Sequence, residues 1–117
     1  MLEKEELIKT LQDICENYSD IIGMVILFGS YSRNEATDSS DIDLYVEPRE
    51  KTLTTTQFGK KKRFKDFKYT LYETFSKNFD ILSYGGKKDI STIRKSSIWK
   101  QIEKDGVLIY YKRAEAV

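Results

Sequence analysis

"LFGSYSRNEATDSSDIDLYVE", residues 27–47, decides how this chain folds. Its first residues close an apolar run, IIGMVILF at 21–28, whose length and β-branched content read as a buried strand. The run stops at Gly29 and Ser30. Ten residues later, Asp41 and Asp43 flank Ile42 at the head of an alternating segment, DIDLYVE. Alternation makes this a second strand, with Asp41, Asp43 and Tyr45 on one face and Ile42, Leu44 and Val46 on the other. Pro48 ends it. Residues 30–35 are expected to start a short helix whose free N–H groups face the Gly-Ser turn, and TDSSD reads as a loop.

Outward from this stretch, the pattern continues. Leu7, Ile8, Leu11, Ile14, Cys15 and Tyr18 recur at helical spacing, which predicts an amphipathic helix over 2–18. REKTLTTTQFGKK is polar and threonine-rich and reads as a surface loop. Phe64, Phe67, Leu71 and Phe75 predict a helix over 61–77, and FDILSY a third strand closed by Gly85-Gly86. Ile90, Ile93, Ile98 and Ile102 predict one last helix stopped at Gly106, followed by the strand VLIYY. The expected fold is α/β (α+β): one domain over 1–117 in two layers, a small mixed sheet of about four strands with helices packed on it.

The chain has 117 residues, 33% of them charged, and no apolar run approaches the roughly 18 residues that span a membrane. MLEKEELIKT is acidic and amphipathic, unlike a signal peptide. The single cysteine, Cys15, cannot form an internal disulfide, which fits a reducing cytoplasm, and its helical position makes it a packing residue. There is no histidine. That excludes His-ligated zinc and a Ser-His-Asp triad. The net charge of +1 hides a segregation. Between Arg33 and Glu50, two basic residues face six acidic ones; between Lys60 and Lys68, six basic residues face one acidic. An acidic site segment beside basic segments suits a metal site that accepts a polyanion.

Two carboxylates side by side on a core strand repel each other and resist burial. A divalent cation removes that cost, and hard oxygen ligands select Mg2+ or Mn2+ over zinc. Magnesium commonly completes its shell with substrate phosphates, so a nucleoside triphosphate is the natural completing ligand. Gly29 lets a phosphate approach the backbone, and Ser30 offers a hydroxyl and an N–H. A third acid completes a two-metal site and draws the proton from an attacking hydroxyl. Asp80, in the third strand, is the candidate; Asp66 and Asp89 lie in basic stretches and are weaker. Arg33 either reaches the phosphates or is a surface arginine. Ser32 and Ser40 read as turn residues, Trp99 as packing, and Tyr69 and Tyr72 as off-stripe residues open to a partner.

GSYSRNEATDSSDIDLYVE resembles the signature of the minimal nucleotidyltransferase (MNT) family, within the DNA polymerase beta superfamily, and the resemblance covers nearly the whole chain. It implies a polymerase-beta-like nucleotidyltransferase fold. It implies that Gly29 and Ser30 hold the triphosphate, that Asp41 and Asp43 bind metals, and that Asp80 is the third carboxylate. Family members of this size commonly pair with a helical HEPN partner, typically an RNase, in toxin–antitoxin systems. The implied activity is transfer of AMP from ATP to a tyrosine of that toxin, in a hetero-oligomer in the cytoplasm. Relatives often carry glycine where this chain has Asn34, a residue that tolerates left-handed geometry. Two other readings stay open: an antitoxin that neutralises its partner by stoichiometric binding, and a small-molecule nucleotidyltransferase. Direct nucleic-acid binding is left open too.

Overall fold

The computed structural model describes residues 2–112. Four strands, β1 (Ile22–Phe28), β2 (Ile42–Pro48), β3 (Phe79–Ser83) and β4 (Val107–Tyr111), form a mixed sheet in the order β3-β2-β1-β4. β1 is antiparallel to β2 and to β4, while β3 joins β2 in parallel. The helices are α1 (Lys4–Asn17), α2 (Thr55–Lys60), α3 (Lys62–Phe75), α4 (Lys87–Ile93) and α5 (Ser97–Asp105). This is the small mixed α/β fold that the alternating and helical spacings predict. The domain expected over 1–117 also takes in residue 1 and residues 113–117, which lie outside the described range.

The period of two in the strands sorts the core. Val25, Leu27, Ile42, Leu44 and Val46 point to one face and pack against Leu7 and Leu11 of α1 and Phe64, Phe67 and Leu71 of α3. Each such side chain contributes roughly 1.5–3 kcal/mol by leaving water. Cys15 is buried in this cluster. The other face carries a smaller cluster, Phe28, Tyr45, Ile93 and Ile102, with the Trp99 ring set edge-on to Tyr45 at 5.0 Å. Helices therefore lie on both faces of the sheet, one layer more than the expected two. Trp99 packs, as its isoleucine neighbours imply.

Three local expectations are corrected. Residues 30–35 form no helix: the N–H groups of Ser32 and Arg33 reach the Gly29 carbonyl at 3.1 and 3.2 Å, and Asn34, at φ 58°, turns the chain out after one turn. The polar stretch 49–61 contains α2. Thr54 and Gln57 form a capping box at its start, and Phe58 is fully buried beneath it. The single last helix is two. The Ser96 hydroxyl donates to the Ile93 carbonyl at 2.6 Å, closing α4, and accepts from the Trp99 N–H at 3.4 Å, opening α5.

Candidate active site

The antiparallel register sets Phe28 opposite Asp43, so the chain leaves β1 at Gly29 directly beside the Asp43 carboxylate. Gly29 sits at φ +76°, and a methyl group there would collide with the Asp43 carboxylate oxygen. Only glycine satisfies both the backbone angle and the space. The turn is pinned from within and from below. The Ser32 hydroxyl, buried, donates to the Gly29 carbonyl at 2.8 Å, and Lys4 of α1 donates to the Ser32 carbonyl at 2.7 Å. Ser30 is half-buried at the turn. Ser40 accepts from the Thr37 N–H at 2.9 Å, the turn role its composition predicts.

The parallel pairing of β2 and β3 places Asp80 opposite Asp43. Neighbouring strands lie about 4.8 Å apart, so the two side chains stand side by side on one face. Asp41 lies just ahead of β2 and is exposed, as is Asp80. Asp43 is half-buried, and its carboxyl is pushed from 3.8 up to about 6. Burial is the largest cause, followed by the negative charges of Asp80 and then Asp41; the Arg33 charge opposes them. Arg33 is thus within electrostatic reach of Asp43, while pairing with Glu35 at 3.3 Å and Asp105 of α5 at 3.7 Å.

Among the described residues, no three or more His, Cys, Asp or Glu side chains converge closely enough to form a metal cage of their own. Magnesium does not need one: one or two carboxylates plus substrate phosphates suffice. The donor set is all hard oxygen, and burial beside the Asp80 and Asp41 charges makes the Asp43 carboxylate costly to ionise without a cation. These residues fit a divalent ion bound together with a phosphorylated substrate.

Other acidic and basic candidates lie elsewhere. Asp66 pairs with Lys62 at 3.1 Å, and Asp89 is on α4. Within the basic run, Arg63 is bonded through two nitrogens to Asp20, each at 2.9 Å, and lies over the Tyr18 ring at 4.3 Å. Tyr69 and Tyr72 are 63% and 54% exposed. One polar group escapes the sequence reading. Glu47 is fully buried on the Asp43 face, accepts from the Tyr45 hydroxyl at 2.6 Å and pairs with Arg94 at 3.0 Å. The strand alternation puts Glu47 on the Asp43 face, opposite Val46, and the helices packed on that face bury it; nothing in the sequence names Arg94 as its cation. Among the described residues, no helix is long and apolar enough to cross a membrane.

Comparison with known proteins places these features. The family model described as "Polymerase beta, Nucleotidyltransferase" matches residues 9–115. A Methanocaldococcus jannaschii protein named as a protein adenylyltransferase is 41% identical over 61 residues, covering 50% of this chain and 55% of that protein. The chain thus spans about half the length of that curated relative. The crystal structure of a toxin–antitoxin with AMP-PNP superposes with a TM-score of 0.57 at 19% identity, over 95% of this chain and 75% of that one. A complex of tri-AMPylated Shewanella oneidensis HEPN toxin with MNT antitoxin gives 0.55 at 16% identity, over 93% and 73%. At these identities the structural likeness is one of fold.

Proposed function

The chain belongs to the polymerase beta nucleotidyltransferase family, and from that premise we propose that it transfers AMP from ATP to an acceptor hydroxyl, a tyrosine of a HEPN-type RNase partner, and so acts as that toxin's antitoxin. The observation that carries this reading is the Asp43–Asp80 pairing beside the Gly29 turn. It puts two carboxylates beside a glycine turn, with the Ser30 hydroxyl next along the chain. The relative named as an adenylyltransferase, and the toxin–antitoxin structures that share the fold, support the choice of AMP and of a protein acceptor.

In this reading Gly29 and Ser30 hold the triphosphate, with Arg33 at its edge. Asp41, Asp43 and Asp80 would hold Mg2+ or Mn2+, which when bound neutralises phosphate charge and lowers the pKa of the acceptor hydroxyl. The acceptor oxygen attacks the α-phosphorus, the bond to the β-phosphate bridge breaks, and pyrophosphate leaves. Asp80, the exposed member of the pair, would take the hydroxyl proton. Asp43, half-buried between its neighbours, would serve as a metal ligand. The partner supplies the acceptor-binding surface.

Incubation with labelled ATP and Mg2+, with and without the HEPN partner, followed by intact-mass measurement, tests this. Gain of AMP units on the partner, lost in Asp41→Asn and Asp43→Asn, is the expected result. A stable complex whose partner is silenced with no mass gain would replace transfer by stoichiometric occlusion.

A further inference from the structure

A cavity of about 1010 Å3 opens at the end of the sheet away from Asp43. It lies between Met24 at the start of β1, Glu47 near the end of β2, α4, and Tyr111 at the end of β4. None of Gly29, Ser30, Arg33, Asp41, Asp43 or Asp80 lines it. Asp43 and Glu47 are four strand residues apart, about 13 Å. Between them Tyr45 is fully buried under Trp99 and closes the face. The cavity and the aspartate site are therefore separate.

Its charge is opposite to that of the aspartate site. Lys51, Lys87, Lys88 and Arg94 line it, against Glu47 and Asp89. Glu47 is neutralised by Arg94, and the remaining lysines outweigh Asp89. The Glu47 bond and the Trp99 ring, 5.2 Å away, hold the Arg94 guanidinium in place, which leaves the lysines as the cations that meet a ligand. The apolar side is Met24, Ile90 and the Tyr111 ring, which is 56% exposed. Small-molecule sites combine this size with an apolar wall and a few convergent polar groups. A space of this volume, with cations and an apolar wall on facing sides, suits a small ligand.

We propose that this cavity is a second ligand site, taking a small phosphorylated molecule with a planar ring, of the nucleotide class, its phosphates toward Lys87 and Lys88 and its ring against Met24 and Tyr111. The assignment is independent of the transfer reaction. The binding needs no divalent ion, because side-chain cations face the phosphates directly. It is salt-sensitive for the same reason.

Titration of the full chain with ADP in excess EDTA, followed by backbone NMR shifts, tests it. Saturable binding is expected in the wild type and in Asp41→Asn/Asp43→Asn alike, with shifts at Met24, Ile90 and Tyr111. Lys87→Glu/Lys88→Glu, two exposed positions, is expected to weaken binding at least tenfold while the remaining spectrum keeps its dispersion. Pyrophosphate, lacking a ring, is expected to bind at least tenfold more weakly than ADP. No saturable ADP binding overturns the proposal, as does binding that depends on the aspartates instead of the lysines. Pyrophosphate binding as tight as ADP overturns the ring contact. Lysine-dependent binding of a short single-stranded RNA without binding of ADP turns the cavity into a nucleic-acid contact.

Discussion

Asp80 stands opposite Asp43 in the parallel register of β3 on β2, and the absent side chain of Gly29 leaves the room that the Asp43 carboxylate fills. One carboxylate is thus flanked by a second carboxylate and by bare backbone. Burial and the two neighbouring aspartates hold its carboxyl at about 6 instead of 3.8.

That displacement predicts a trade between stability and activity at Asp43. An acid whose folded pKa lies above its unfolded value binds its proton more tightly when folded. Its ionisation therefore costs stability progressively as pH rises from 3.8 to about 6, and the full cost is present at pH 7. The amide introduced by Asp43→Asn cannot ionise. Metal-free Asp43→Asn should be more stable than the wild type at pH 7, by about 1 kcal/mol after allowance for solvent screening of a half-exposed group. The difference should vanish below pH 4. Thermal melts in EDTA across this range check it, and AMP transfer by the same variant should fall by ~10²–10³-fold.

Gly29 and Asn34 both sit at positive φ, 76° and 58°, yet substitution should cost far more at Gly29. Gly29→Ala adds strain of about 1–2 kcal/mol and drives a methyl into the Asp43 carboxylate, so stability and transfer should both be lost. Asn34→Gly relieves backbone strain at an exposed turn, with a change of no more than about 1 kcal/mol in either direction. Urea denaturation of the two variants separates them.

The readable parts of this chain are those where period alone decides. The run before Gly29, the alternation after Asp41 and the Phe64–Phe67–Leu71 stripe each match one element. What misleads is local punctuation. Thr54 and Gln57 make a capping box inside a stretch whose polarity reads as loop, and Ser96 splits an isoleucine pattern whose one off-period step, from Ile93 to Ile98, is easily read through. Asn34 ends a helical turn that its neighbours could have continued. The aspartates are legible as a candidate set because Asp41 and Asp43 stand two apart at the head of one alternating segment and Asp80 sits in another; the parallel register that pairs Asp43 with Asp80 is a tertiary fact. Glu47 and Arg94 are 47 positions apart, beyond any local signal.

The Glu47–Arg94 pair should show a strong asymmetry between single and double substitution. Glu47 is fully buried, and Arg94 is its salt-bridge cation. Arg94→Met takes a salt-bridge cation from a buried carboxylate that keeps the Tyr45 hydroxyl, a loss of about 2–3 kcal/mol, below the fully buried case because Arg94 is partly exposed. Glu47→Gln/Arg94→Met removes the charge as well and should regain about half of that. A double-mutant cycle by chemical denaturation measures the coupling.

Cys15 gives a direct readout of global opening. Its thiol is fully buried in the α1 face of the main core, and burial, with a smaller effect from Glu16, pushes it up to about 12. The thiolate is the reactive form, so the folded chain holds almost none at pH 8, whereas the unfolded chain, with a thiol near 9, holds a usable fraction. Alkylation by iodoacetamide should therefore proceed only through molecules that unfold, at a rate set by overall stability. Variants that weaken the core, such as Phe67→Ala at a cost of about 3–5 kcal/mol, should label faster in proportion to their unfolded population. Intact-mass kinetics at pH 8 read this out. Rapid labelling of the wild type, unmoved by Phe67→Ala, would mean that α1 opens locally and that the core reading of its inner face is wrong.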